Sequence, residues 1–291
     1  MEGCLTDCMT QKLVIDKSFL DGASTTQVRD VVARYHALVI EPLFYELMTT
    51  EKPDMQRKAF AKFPSEPGAF SLIPNIGTLL RNEFEGREPL RRLEGCAIEG
   101  VHKFNDGLRD GNYVPTAQVL GDLRAWEAEV VSSTQTFLEM CQSVHQFFPE
   151  LSGIEFRDFP AAIATARRTV ATSQERVMEI YAQLRAQDAT SMLPPETVGP
   201  DWVSYRFLQC HLLAALRLFG KHQGNIDVTA GVRLRAEHAM HDLEYVSAGS
   251  MVGGIATNDR EVEEDFRLLC PSGLVIKPMR RETDSSEACL P

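Results

Sequence analysis

Residues 12–50 read KLVIDKSFLDGASTTQVRDVVARYHALVIEPLFYELMTT, and the fold class follows from this stretch. It opens on a short apolar run, Lys12 to Asp16 (KLVID), that ends in an acid. A brief apolar run bounded by polar residues marks a strand buried on both faces. Thr25 to Tyr35 then follows a helical period, with Val28, Val31 and Val32 on one side and Ser24 or Thr25 placed to cap it. Ala37 to Ile40 (ALVI) is a second buried strand, and Glu41 to Thr50 a second helix with Pro42 in its first turn, where no N–H is missed. Strand, helix, strand, helix at this spacing predicts a parallel sheet with crossover helices.

The same alternation returns near the other end. Thr229 to Ala248 carries Val232, Ala236, Ala239, Leu243 and Val246 as one helical stripe. Gly254 to Thr257 (GIAT) is a short strand running into Asn258-Asp259, Glu261 to Leu269 a helix, and Leu274 to Lys277 (LVIK) a last strand. Between the two ends the pattern changes. Residues 64–90 carry several Pro and Gly and read as irregular. From about Pro89 to Gln223 the period is helical, clearest at Ala125 to Phe148, Pro160 to Ala186 and Trp202 to Phe219, with a break at Asp188 to Pro200. Trp126, Phe137, Met140, Phe147, Phe148, Trp202, Tyr205 and Phe207 are expected in the core of that region.

The simplest organisation is one discontinuous α/β domain, residues 11–85 and 225–280, interrupted by a mostly α-helical insertion at 86–224. Residues 1–10 and 281–291 lack periodicity and are expected to be disordered tails.

Composition sets outer bounds. The hydrophobic fraction of 44% suits a globular core, and no segment approaches the ~18 uninterrupted apolar residues of a membrane span. Leu13 to Ile15 is too short for a signal-peptide core, so the expected location is cytoplasmic with no membrane partner. Seven scattered cysteines, Cys4, Cys8, Cys96, Cys141, Cys210, Cys270 and Cys289, form no CxxC pair and fit reduced thiols. A net charge of −11 argues against broad attraction to nucleic acid, yet a carboxylate-built metal site is itself acidic and a bound cation inverts the local field.

Four acids lie where they can meet at one end of such a sheet, because ligands of open α/β sheets bind beyond the carboxyl ends of the strands. Asp16 follows the first strand and Asp259 follows GIAT. Glu46 interrupts an otherwise apolar helix, and Asp242 flanks the stripe of the later helix. Crowded carboxylates repel one another and lose hydration, and a cation between them relieves both. Oxygen-only donors suit Mg2+ or Mn2+, which activate water and stabilise displacement at phosphate.

On these residues the chain resembles the PIN-domain nucleases: KLVIDKSFL, LFYEL, HDLEYV and GIATND follow that family's pattern. Asp16, Glu46, Asp242 and Asp259 match its four acidic positions, and Thr257 its Ser/Thr. The resemblance spans roughly the first 85 and last 65 residues; the helical middle departs from it, ordinary PIN domains being much shorter. It implies a PIN-like parallel sheet flanked by helices and an endoribonuclease that uses carboxylate-bound Mg2+ or Mn2+ on single-stranded or structured RNA. Lys17, Ser18, Asn258 and His241 are candidate supporting residues for phosphate contact or ligand orientation, and Arg57, Lys58 and Lys62 a basic run beside the Glu46 helix.

Alternatives remain open at this point. A binding or regulatory module could keep the fold and act through the helical insertion without catalysis. A toxin-like nuclease could be restrained by an inhibitory protein partner or by homo-oligomerisation. A third reading gathers His238 and His241 with the Glu99/His102 pair into a zinc or di-iron centre, since i, i+3 and i, i+4 residues share a helix face. No GxGxxG, phosphate-binding lysine loop or Gly-x-Ser-x-Gly elbow occurs, which removes those chemistries.

Overall fold

The computed structural model describes residues 11–90 and 93–279. The first strand, β1 (Lys12–Ile15), has Leu13, Val14 and Ile15 wholly buried, as a central strand covered on both faces requires. Asp16 leaves the strand and caps α1 (Lys17–Gly22), accepting from the Ser18 amide. Ser24 and Gln27 then form a reciprocal capping box that opens α2 (Thr25–Arg34). The chain returns through β2 (His36–Ile40) and enters α3 (Glu41–Met48) with Pro42 in the first turn. The helix α4 (Pro53–Lys62) follows.

Residues 64–90, expected to be irregular, hold a strand and a helix. The strand β3 (Ser71–Ile73) is three residues long, set between Pro67-Gly68 and Pro74, too short for any period to show. Asn75 then caps α5 (Ile76–Gly86), accepting from Thr78 N–H at 2.9 Å. The next stretch is less helical than its composition suggests: apart from a 3-10 turn at Leu93–Cys96, only α6 (Asp106–Asp110) interrupts irregular chain up to Thr116.

The helical middle then runs through α7 (Ala117–Gln142), α8 (Val144–Phe147), α9 (Phe159–Thr172), α10 (Gln174–Gln187) and α11 (Val203–Lys221). The stretch read as continuous from Pro160 to Ala186 is two helices, divided at Ser173, whose hydroxyl accepts from the Arg176 amide. The long α12 (Ala230–Val252) ends at left-handed Gly253 and leads straight into β4 (Gly254–Ala256). A Cβ on Gly254 would collide with the Lys12 carbonyl, so only glycine lets β4 start this close to β1. The chain closes with α13 (Arg260–Leu269) and β5 (Leu274–Ile276).

All four strand pairings are parallel, and the order is β3-β2-β1-β4-β5. The chain builds outward from β1 on one side and then, after the helical middle, from β1 on the other. The direction of winding therefore reverses between β1 and β4, which makes that gap the topological switch point of a doubly wound sheet.

Two apolar clusters hold the molecule. One surrounds the sheet and takes Leu93, Phe104 and Leu108 from beyond residue 86 as well. The other fills the space among α7 to α11. α12 serves both, offering Val232 and Ala236 to the helical cluster and Leu243 and Val246 to the sheet. The expected tails lie outside the described residues, apart from Gln11 and residues up to Met279 that border them, and so do Cys4, Cys8 and Cys289.

Candidate functional site

The carboxyl ends of β1 and β4 meet through a compact set of polar bonds. Asp16 N–H donates to the Ala256 carbonyl at 3.0 Å, which carries the β1–β4 ladder to its last residue. The Thr257 hydroxyl, wholly buried, donates to Asp16 Oδ2 at 2.5 Å. Ser18 Oγ donates to the same oxygen at 2.5 Å, while the Ser18 amide reaches Asp16 Oδ1 at 3.1 Å. Ser18 Oγ in turn accepts the Asn258 and Asp259 amides at 2.9 and 3.0 Å. Asp259 turns Oδ1 onto the amides of Glu261 and Val262 and caps α13. Two strand ends and two helix starts are thus locked by three short side chains and one buried carboxylate.

The other two acids arrive from helices. Glu46 on α3 is held through Oε2 by the hydroxyl of Tyr245 on α12. Asp242 lies one turn before Tyr245 on the same face, and no hydrogen bond or ion pair involves it among the described residues. Lys17 spans the gap, paired with Asp21 at 2.8 Å and close enough to Glu46 and Asp16 for its charge to be felt by both.

Asp16, Glu46 and Asp242 each feel the charge of at least one other of the four acids. Burial raises Asp16, against the lowering pull of its hydrogen bonds, and the charge of Asp259 adds to the rise. Burial lifts Glu46 to about 7, with Asp16 raising it further and Tyr245 and Lys17 opposing. Asp242 is raised well above the carboxylate range by burial first and then by Asp259, Asp16 and Glu46. Asp242 also feels Arg217 of α11, whose charge lowers it. Electrostatic range is not ligating range, however. Among the described residues, no three His, Cys, Asp or Glu side chains stand close enough together to hold a metal ion. Asp16 spends its oxygens on hydroxyls and an amide, and Asp259 spends one on its own helix.

The supporting residues divide. Ser18 and Thr257 are integral to the lock, and Asn258 joins it through its amide, its side chain lying at the exposed surface. His241 is buried against the Tyr45 ring at 5.9 Å, and burial with His238 nearby takes it down to about 4, so the ring is neutral near pH 7. Of the basic run, Arg57 and Lys58 face solvent, whereas Lys62 reaches the Leu20 carbonyl at the end of α1.

Among the described residues, no His, Cys, Asp or Glu cluster gathers His238 and His241 with Glu99 and His102. Glu99 and His102 lie in irregular chain, where the i, i+3 spacing no longer places them on one helix face, and His102 bonds the Ile98 carbonyl.

Three features escaped the sequence reading. Tyr245, three residues after Asp242, carried a signal in its spacing on α12. Glu244 caps the start of α5 through the Ile76 amide and is pushed by burial to about 7, beside Glu41, which takes the Asn75 amide. Arg217, distant in sequence, had no local signal.

No family model, no curated protein and no solved structure matches this chain. Among the described residues, no helix is long and apolar enough to cross a membrane.

Proposed function

We propose that this chain is a metal-dependent nuclease of PIN-like architecture, an endoribonuclease hydrolysing phosphodiester bonds. One observation carries the reading: acids from four separate elements lie within electrostatic reach of one another about the β1–β4 switch point, and the Asp242 side chain has no hydrogen bond or ion pair among the described residues. Buried acids that repel one another make folding less favourable, and a bound cation would offset that repulsion.

The donor chemistry fits a hard divalent ion. Asp16, Glu46, Asp242 and Asp259 offer only oxygens. Mg2+ or Mn2+ held there would supply charge to offset the repulsion and a water acidified for attack on phosphorus. The protein's own contribution is positioning. Ser18 and Thr257 fix Asp16, the α13 cap fixes Asp259, and Tyr245 fixes Glu46. Lys17 stands at the edge of the acids, placed to meet a phosphate oxygen.

A second reading has its own support. Asp16 and Asp259 are both fully explained as helix caps, so a PIN-like module that binds partners through its helical middle and cleaves nothing is also consistent with the geometry. Asp242 separates the two, because it caps nothing. The test is cleavage of an unstructured RNA oligomer by the full chain with Mn2+, with Mg2+ and with chelator, beside Asp242→Asn. The nuclease reading expects metal-dependent cleavage that falls to the chelator level in Asp242→Asn. Equal cleavage by the variant, or none by the wild type with either metal, would remove it.

A further inference from the structure

A cavity of about 720 Å3 lies away from the four acids, walled by α5, α7, α10, α11 and the 188–193 loop. That volume falls in the range of small-molecule sites, which pair an apolar wall with a few placed polar groups. Leu80 and Phe84 form one wall, and Met140, Phe147, Leu184 and Leu208 the opposite ones. Phe84 is 41% exposed, unusual for a phenylalanine on a helix whose other apolar residues are packed.

The polar groups define what could enter. His211 lines the cavity, and burial lowers it to about 4, so its ring is neutral near pH 7. Its Nδ1 lies 3.2 Å from the Phe207 carbonyl, which only a protonated nitrogen can approach as donor. Nε2 is therefore an acceptor, and it has no hydrogen-bond partner among the described residues. Two carboxylates, Glu139 and Asp188, also line the cavity, and no lysine or arginine does. Asp188 is held ionised by the Ser191 and Thr190 hydroxyls, down to about 2. Arg185 on α10 has its Nε committed to the Met192 carbonyl at 3.2 Å.

We propose that this cavity is a binding site for an apolar small molecule bearing a neutral hydrogen-bond donor or an amine. Acidic rim charge, the acceptor on His211 and the lack of any lysine or arginine in the lining disfavour anionic lipids and nucleotides.

The test uses the full chain and N-phenyl-1-naphthylamine, a neutral apolar fluorophore with one N–H donor. Saturable enhancement at one site is expected, with displacement by decylamine and decanol but not by decanoate. Met140→Trp fills the cavity from α7 and should weaken the fluorophore at least tenfold with the far-UV spectrum unchanged. Leu80→Trp fills it from the opposite wall, should the first variant fail to fold. His211→Phe keeps the ring volume, removes the acceptor and should weaken decanol. Absence of saturable binding, unchanged affinity in a folded cavity-filling variant, or displacement by decanoate as readily as by decylamine would each overturn the proposal.

Discussion

Replacing Glu46 by glutamine gives the sharpest test of the electrostatics. Burial, with Asp16 behind it, raises this carboxyl from 4.5 to about 7 in the folded chain. A raised acid is held protonated by the fold. Below the unfolded value it makes no difference to stability. As pH climbs from about 4.5 to 7 the unfolded chain ionises and the folded one resists, so stability is lost through that window and stays lost above it. At about 1.4 kcal/mol per unit, the cost above pH 7 comes to about 3 kcal/mol, and partial solvent access trims it to roughly 2 kcal/mol. Glutamine still accepts from Tyr245 and cannot ionise. In chelator, urea unfolding of Glu46→Gln and wild type should therefore give equal stability at pH 4.5. At pH 8 the variant should be more stable by roughly 2 kcal/mol. Equal stability at both pH values, or a less stable variant at pH 8, would refute the claim that burial, with Asp16 adding to it, holds Glu46 protonated in the fold.

Three more outcomes follow from particular contacts. Asp259→Ala removes the α13 cap and should cost about 1 kcal/mol in urea unfolding, whereas Asp259→Asn keeps the cap and should cost almost nothing while abolishing RNA cleavage. Gly254→Ala drives a methyl into the Lys12 carbonyl and should cost about 2 kcal/mol or more in the same assay. Asp265 is buried between Arg167 and Arg217, so Asp265→Asn should cost about 3 kcal/mol, while Arg260→Ala at the exposed Arg260–Glu264 pair should cost under about 0.5 kcal/mol.

Much of the sheet was legible because its strands announce themselves. KLVI, ALVI, GIA and LVI are short apolar runs between polar boundaries, and each is a strand. Asp16 and Asp259 were legible for the same reason: both sit one or three residues past a buried strand, where a parallel sheet opens its ligand face. β3 was hidden because three residues between Pro-Gly and Pro carry no period, and α5 because the same Pro and Gly content masked its Asn75 cap. The acids' hydrogen bonds could not be read at all. Whether Asp16 points into a shared pocket or back onto Ser18 and Thr257 is decided by residues 239 to 241 positions apart in sequence. Arg217 is of the same kind, reaching Asp265 and Glu261 from a helix whose pattern shows only burial.

The central claim is that the acids at the β1–β4 switch point bind a divalent cation. Electron paramagnetic resonance of free Mn2+ titrated with the full chain measures this directly. Wild type should withdraw one or two Mn2+ per chain from solution, and Asp242→Asn should bind at least about tenfold more weakly. A wild-type chain that leaves the free Mn2+ signal untouched at millimolar metal, or an Asp242→Asn chain that binds as well as wild type, would contradict it.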